Sequence, residues 1–458
     1  MKTMDIRTYN YKTEPYEHQL ETLARSAHKN LFALFLEMGL GKSKILLDNT
    51  AMLFEQGEIS GLLIVSPKGN LRNWDVHEIS KHLPDRIERN VLVWQPNHTQ
   101  QWTKDYERMV KEDSEGALNI FLVNVEAFAT PKACKFVEEF LVTHDAMMAI
   151  DESTTIKNPK AKRTKHLIKL APLADYRRIL TGFPITKAPL DLYSQCYFLS
   201  PNLLGFSSYY AFSARYAITQ ARRMGSHSFQ QIVGFQKLSE LQESIKDFSI
   251  RKRKEECLDL PEKVYVKRYV ELTAEQKQAY GTMKQKALMV LNEEVFSTMN
   301  ALTQIMRLQQ VVAGSLRNEE GETILLKNNR VRTVLDLLEE TSGKVVIFAV
   351  FQTDIQELER AIAEKFGKKS VASYYGKTPQ NDRQKTIDMF QDPDSELRYF
   401  VSNPQTGGRG ITLTEASTMI YYSNSYDLEL RVQSEDRIHR IGQDKSCTYI
   451  DLVSKNTV

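Results

Sequence analysis

Short, mainly apolar runs recur along this chain, each followed by a loop and then a longer amphipathic segment. In the first half these are Leu31-Phe32-Ala33-Leu34-Phe35-Leu36, Leu62-Leu63-Ile64-Val65, Ile120-Phe121-Leu122-Val123, Ala146-Met147-Met148-Ala149-Ile150 and Arg178-Ile179-Leu180. In the second half they are Val345–Ala349, Ser370–Tyr374, Tyr399–Val401 and Met419–Tyr422, with a last run at Thr448–Val453. Strands buried on both faces read as continuous apolar runs, and parallel neighbours need helical crossovers between them. The pattern predicts an α/β fold with two parallel sheets, each flanked by helices. At 458 residues the chain is also long for a single core, and two or three domains are expected.

The middle reads differently. From Leu190 to Met306 the pattern is mostly helical and rich in Tyr, Phe, Gln and Lys, with a basic run at Arg251-Lys252-Arg253-Lys254 and a break at Leu260-Pro261. The expected division is a first α/β lobe over 1–190, helical insertions, protrusions and an interlobe linker over 191–312, and a second α/β lobe over 313–458. No internal repeat or low-complexity tract is evident.

Composition excludes some classes. Hydrophobic residues make up 41% and charged residues 26%, ordinary globular values. No apolar stretch reaches the roughly 20 residues of a membrane span, and the start, Met1-Lys2-Thr3-Met4-Asp5-Ile6, lacks the apolar block of a secretory signal. A cytoplasmic protein with no membrane partner is expected. Cys134, Cys196, Cys257 and Cys447 stand singly, which argues against a zinc ribbon or a disulfide framework. Net charge is only +3, so nucleic-acid binding has to come from local basic patches.

Three constellations carry chemistry. Glu37-Met38-Gly39-Leu40-Gly41-Lys42-Ser43 follows a strand-like run and opens a helical segment, so Gly39 and Gly41 let backbone N–H groups approach phosphate oxygens at a helix N-terminus. Lys42 is expected on the β- and γ-phosphates and the Ser43 hydroxyl on Mg²⁺. The full G-x-x-x-x-G-K-[ST] pattern is not met, because Leu36 stands where the first glycine belongs, and an incidental glycine turn is the plain alternative. Asp151-Glu152 comes straight off an apolar strand, at the edge where open α/β sheets place ligands. Asp151 suits Mg²⁺ held through water, and Glu152 suits orienting and deprotonating an attacking water. Near the end, Gln433-Ser434-Glu435-Asp436-Arg437-Ile438-His439-Arg440-Ile441-Gly442-Gln443 offers Arg437 and Arg440, three apart and on one face if the segment is helical. A phosphate cradle, a metal site and a distant cation pair suggest an NTPase whose site lies between two lobes.

These motifs, with Ile156-Lys157-Asn158 and Leu180-Thr181-Gly182-Phe183-Pro184-Ile185, occur in an order that resembles the Swi/Snf-related branch of helicase superfamily two, over roughly Tyr16 to Val458. The resemblance implies two RecA-like lobes with helical protrusions between them, and a DNA-dependent ATPase that uses ATP and Mg²⁺. It implies that Gln19 reads adenine and that Gly39, Gly41, Lys42 and Ser43 form the phosphate loop. Thr181 and Gly182 couple nucleotide state to nucleic-acid grip. In Thr406-Gly407-Gly408-Arg409-Gly410-Ile411, which faces both ligands, Thr406 and Gly407 fall to the nucleic acid and Gly410 to the nucleotide. Arg437 and Arg440 reach the γ-phosphate. Phe183, Thr412 and the stretch Ser423–Leu428 depart from the family pattern, and the family usually continues past the segment ending at Asn456-Thr457-Val458. The small size resembles a bacteriophage branch-migration or fork-remodelling helicase more than a nucleosome remodeller. That resemblance implies a bacterial host cytoplasm and a protein monomeric in action. Its partners would be duplex, forked or junction DNA and replication or recombination proteins. An ATP-switched clamp without translocation and an RNA-directed helicase are the competing readings.

For nucleic-acid contact, Ser66-Pro67-Lys68-Gly69-Asn70 resembles a segment that holds phosphates through N–H groups, hydroxyls and lysines, with Pro67 and Lys68 as candidates. Lys157, Lys160, Lys162, Arg163, Lys165 and Lys169 form a cationic stretch that reads either as a DNA track or as a solvated helix face. Arg251–Lys254 reads either as a DNA contact or as an interlobe ion-pair network. Trp74 and Trp94 belong either to the core or to base stacking. His439 reads as a support for its loop rather than a catalytic base.

Overall fold

The computed structural model describes residues 5–111, 116–224, 227–292, 298–317, 322–408 and 411–458. The chain divides into two compact units, Met1–Leu258 and Asp259–Val458. The strands of the first are β1 (Leu31–Leu36), β2 (Gly61–Ser66), β3 (Arg89–Val93), β4 (Leu118–Asn124), β5 (Ala146–Asp151), β6 (Tyr176–Leu180), β7 (Ala217–Met224), β8 (His227–Phe235) and β9 (Ser249–Lys252). Seven of them form one sheet in the order β3-β4-β2-β5-β6-β1-β9, with every neighbouring pair parallel. The second unit holds β10 (Lys263–Tyr269), β11 (Ser315–Arg317), β12 (Thr323–Leu325), β13 (Lys344–Phe348), β14 (Val371–Tyr374), β15 (Tyr399–Ser402), β16 (Ala416–Tyr421) and β17 (Cys447–Val453). Six form a second parallel sheet, ordered β10-β17-β16-β13-β15-β14, and β11 and β12 make a small hairpin.

The apolar runs are the central strands because both faces of each sheet are covered. In the first unit Phe32, Leu34, Leu62, Ile64, Met147 and Ala149 enter one buried cluster. Their alternating neighbours Ala33, Phe35, Leu63, Val65, Met148 and Ile150 enter another on the opposite face. The second sheet does the same, with Val345, Ile347 and Ile420 on one side and Val346, Phe348 and Met419 on the other. Each fully buried aliphatic side chain contributes about 1.5–3 kcal/mol of transfer free energy, so these layers dominate the stability of both units.

The middle segment departs from the helical expectation. Two helices, Leu192–Leu199 and Tyr209–Tyr216, lead into an antiparallel ribbon formed by β7 and β8. The chain then returns through Leu238–Ser244 to β9, the edge of the first sheet, and β10 is the edge of the second. Helices Ala274–Asn292 and Thr298–Ala313 follow. Three of the strands that lacked an apolar run share one cause. β3, β9 and β10 lie at sheet edges, where one side is open and polar side chains are tolerated. The ribbon has no layer on either face, so neither strand needs an apolar stripe.

Candidate nucleotide and nucleic-acid site

The phosphate loop is built at the carboxyl end of β1. Gly39 and Gly41 have φ of +83° and +80°, a region closed to most side chains. A Cβ on Gly41 would also stand 2.2 Å from Gln19 Nε2, so two independent constraints require glycine there. Gly41 leads into the helix Lys42–Glu55, whose N-terminus has no side-chain cap and no acid in its first turn. Its leading N–H groups and dipole therefore favour an anion. The Lys42 ammonium donates to the Leu36 carbonyl at 2.9 Å. The residue in the first-glycine position thus serves the loop through its backbone, while its side chain fills the core, which accounts for the departure from the strict pattern.

Gln19 is buried against this loop. Its Oε1 accepts the Tyr16 N–H at 3.0 Å and its Nε2 donates to the Leu40 carbonyl at 3.2 Å. His18 Nε2 reaches the same carbonyl at 3.0 Å, and burial lowers the His18 pKa, keeping the ring neutral. The candidate adenine reader and the phosphate loop are one hydrogen-bonded unit.

Sheet register brings the other motifs to the same edge. β6 lies between β1 and β5, with Leu34 paired to Leu180 and Leu180 paired to Asp151. Adjacent strands are spaced by about 4.8 Å, so Asp151 stands roughly 10 Å from Leu34 in the same row. Thr181 donates its N–H to the Leu34 carbonyl at 3.1 Å. A Cβ on Gly182 would lie 3.4 Å from Glu37 Cα, which places the Thr181-Gly182 segment against the phosphate loop.

Asp151 is held by donors from the segment at and after the end of β2. Its Oδ2 accepts Ser66 Oγ at 2.9 Å, Trp74 Nε1 at 3.0 Å and Asn70 Nδ2 at 3.4 Å. Ser66 and Asn70 therefore turn inward, and Trp74, only 1% exposed, orients the acid instead of stacking on a base. The register explains it: β2 pairs with β5 so that Val65 opposes Ile150, which sets Ser66 beside Asp151. With Oδ2 so engaged, Oδ1 is the oxygen left for a metal or its water. Among the described residues no three His, Cys, Asp or Glu side chains cluster as a metal cage. Mg²⁺ on a nucleotide needs only one or two protein oxygens beside phosphates and water, and Ser43 with Asp151 fits that set.

Glu152 follows with φ 50° and ψ 60°. A left-handed non-glycine residue costs about 1–3 kcal/mol, and such strain collects at functional positions. The next residue ties the loop down: Ser153 Oγ donates to Gln195 Oε1 at 2.7 Å, and Gln195 Nε2 donates to the Pro184 and Asp191 carbonyls at 2.7 and 2.8 Å. A buried amide thus joins the acid loop to the segment after Thr181-Gly182. Lys157 donates to Thr186 Oγ1, which in turn donates to Asp191 Oδ2 at 2.9 Å. Lys157 is engaged within this unit.

The surface candidates are sorted by burial. Pro67 is buried and Lys68 exposed. Helix Lys162–Leu170 buries Thr164, Leu167 and Leu170 and leaves Lys162, Lys165 and Lys169 outside. The basic run lies on and just beyond β9, beside the phosphate loop, where Lys252 pairs with Leu36 in register and accepts the Glu37 N–H on its carbonyl. Two of its ion pairs lie inside the first unit, Lys252 with Glu21 at 2.6 Å and Arg253 with Glu255 at 3.2 Å. Trp94 is buried in an edge-to-face cluster with Trp102 and Phe136.

In the second unit the helix Leu428–Glu435 ends before the arginines, so Arg437 and Arg440 lie in a turn and bend rather than on one helical face. Arg437 is buried, with Nε on the Gln433 carbonyl at 2.9 Å and Nη1 on the Ile411 carbonyl at 3.0 Å. Arg440 is partly exposed. Gln443 clamps the segment through Nε2 bonds to the Thr414, Ala416 and Ile438 carbonyls at 3.0, 2.9 and 3.0 Å. His439 Nε2 meets the Pro261 carbonyl at 2.8 Å, a supporting contact. Thr406 is half-buried in the short helix Pro404–Gly407, its N–H bonded to Asn403 Oδ1 at 3.1 Å. Gly407 and Gly408 are packing glycines, since a Cβ would meet Ser402 Oγ at 2.3 Å and the Pro404 carbonyl oxygen at 2.1 Å respectively. Gly410 lies outside the described residues.

Comparison with known proteins identifies the family. The SNF2-related domain matches residues 18–315 and the helicase conserved C-terminal domain matches 327–442. Among similar proteins, the chromatin remodeling factor mit1 of Schizosaccharomyces pombe is 24% identical across 92% of this chain and 30% of its own length. The mouse (Mus musculus) DNA annealing helicase and endonuclease ZRANB3 is 26% identical across 92% of this chain and 37% of its own. The chain thus spans about a third of the length of these curated relatives. The Sulfolobus solfataricus SWI2/SNF2 ATPase core in complex with dsDNA is 24% identical, covering 99% of this chain and 90% of that one, at a TM-score of 0.46. With most of its length matched by that first domain, the chain belongs to the SNF2-related family.

Proposed function

We propose that this protein is an ATP-dependent DNA translocase that moves on duplex or branched DNA, remodelling forks or migrating branches. One observation supports it above others: the phosphate loop, Thr181-Gly182 and Asp151-Glu152 share one edge of one parallel sheet, with Gln19 bonded to the loop. A relative named as a DNA annealing helicase supports the DNA partner.

In this reading Gln19 holds the adenine, and the Gly39–Ser43 backbone with Lys42 holds the phosphates. Ser43, and Asp151 through water, would hold Mg²⁺, which would supply charge neutralisation to the phosphates. Glu152 takes the proton of the attacking water. Arg437 and Arg440 meet charge developing on the γ-phosphate, a contribution that reaches about 10³–10⁵ in rate for arginines so placed, roughly 4–7 kcal/mol. Lys68, Lys157, Thr406, Gly407 and the lysines of Lys162–Leu170 serve the DNA backbone.

The test measures ATP turnover with single-stranded, duplex, forked and four-way DNA, and with RNA duplex at matched salt. Triplex displacement reads movement. Stimulation by duplex or branched DNA with displacement is expected; stimulation without displacement makes the protein a clamp, and preference for RNA reassigns the substrate. Glu152→Gln should bind nucleotide and lose about 10²–10⁴-fold in turnover, and retained turnover would assign the base elsewhere.

A further inference from the structure

The β7–β8 ribbon stands apart from the machinery above. Its base is fixed: Ala217 pairs with Phe235, Gln236 donates its N–H to the Tyr216 carbonyl at 2.9 Å, and Phe212 and Tyr216 sit in the core of the first unit. Arg215 locks the same base to Glu240 through Nε at 2.9 Å. Beyond it, residues 218–223 and 228–233 are exposed whichever way they point, including Phe229 at 48% and Val233 at 52%. An uncovered two-stranded ribbon is marginal by itself in water, so a partner that lies along it is the natural complement.

The charge pattern says which partner. No Asp or Glu occurs between Asp191 and Glu240, in a chain where acids and bases are otherwise nearly balanced. Near the tip stand Arg222 and Arg223, consecutive in a strand and so facing opposite sides. Cross-strand partners share a face, so Arg222 lies with Phe229, Gln220 and Gln231, and Arg223 with Ser228, Ala221 and Gln230. Among the described residues neither arginine has an acidic partner within ion-pair distance. Each face therefore offers one cation beside uncharged polar and apolar side chains, with nothing that repels an anion. A polyanion that flanks the ribbon on both sides matches this, and the major groove of B-DNA, about 12 Å wide, admits a two-stranded β-ribbon between its two phosphate rows.

We propose that the β7–β8 ribbon enters a groove of duplex DNA, with Arg222 and Arg223 each neutralising a phosphate on opposite walls. This rests on the DNA-translocase reading and extends it to a specific contact outside the nucleotide-binding edge.

The experiment compares the whole protein with R222A/R223A and R222K/R223K, measuring affinity for a labelled duplex across a salt series, and ATP turnover without DNA. The alanine pair should flatten the slope of log affinity against log salt by about 1.8, from two phosphates at about 0.9 each. The wild-type advantage then shrinks about tenfold between about 50 and about 200 mM salt. The lysine pair should restore the slope, since an ammonium also neutralises a phosphate, and turnover without DNA should be unchanged. An unaltered slope in the alanine pair, or no recovery with lysine, overturns the ribbon as a DNA element while a DNA-stimulated wild type keeps the translocase reading. A wild type that neither binds duplex nor is stimulated by it removes both.

Discussion

The two units solve a related problem by different means. In the first, the candidate chemistry is spread over backbone and a fixed side chain: glycines at positive φ, a strained Glu152, and a carboxylate whose oxygen takes three donors from a neighbouring segment. In the second, it sits on two arginines of one short turn, of which Arg437 is buried on carbonyls and Arg440 is partly exposed. The lesson is that two residues assigned the same role by motif have different physical duties. Arg437 holds the loop around Ile411 to the arginine segment, and Arg440, the more exposed of the two, is the one proposed to meet the nucleotide.

The sharpest way to break this contrast is to remove each arginine separately. Arg440→Ala should lose about 10³–10⁵-fold in stimulated ATP turnover, with a smaller melting shift than Arg437→Ala. Arg437→Ala should also lower stability by about 1–3 kcal/mol, because it leaves buried carbonyls without donors. Calorimetric melting beside turnover reads both, and a turnover loss with no melting shift for Arg437→Ala would make the pair equivalent.

A smaller effect sharpens the picture of the first unit. Trp74→Phe keeps the ring and removes one donor from Asp151, so Mg²⁺ affinity in the presence of nucleotide should weaken about 10-fold, the low end for such supporting bonds. Metal titration of turnover measures it, and an unchanged midpoint would reduce Trp74 to packing alone.

The smallest effect is in pH dependence. On the helix that follows the phosphate loop, Asp48 pairs with Lys44 at 2.8 Å while its Oδ1 has no partner. Burial raises its pKa to about 6, with Lys44 offsetting part of the rise. The folded state then holds the proton more tightly than the unfolded chain, so this group stabilises less as pH climbs from about 4 to about 6. Nearby His82 is pushed down to about 4, chiefly by burial. There the unfolded chain binds the proton more tightly, and stability rises with pH across nearly the same window. The two slopes oppose. Asp48→Asn should make stability rise more steeply with pH, by at most about 1.4 kcal/mol per unit. Urea unfolding read by tryptophan fluorescence reports the first unit alone, since Trp74, Trp94 and Trp102 all lie there. An unchanged slope would show that Asp48 does not titrate there.

The central strands and phosphate loop were legible in the sequence because double-sided burial and left-handed turns leave direct marks: apolar runs and glycines. Edge strands β3, β9 and β10 left none, since a half-open strand carries whatever its solvent side allows. The inward turn of Ser66 and Asn70 was not legible, since a hydroxyl or amide that serves a carboxylate looks the same in sequence as one that serves a phosphate, and Trp74 took the core alternative. Arg437 and Arg440 were legible as a pair, but the helix end at Glu435, which separates their environments, was not.

One edge strand bears on how the second unit can be handled alone. β10 is the outermost strand of its sheet, almost fully exposed along its length, and it covers the side of β17 through seven registered residue pairs. The sequence-based boundary at residue 313 would leave it behind, as would trimming to the span matched by the helicase C-terminal domain. A fragment cut there presents a bare row of β17 amides and carbonyls, ready to recruit a strand from another molecule and precipitate. A fragment beginning at Asp259 keeps its own guard strand and is the one to express.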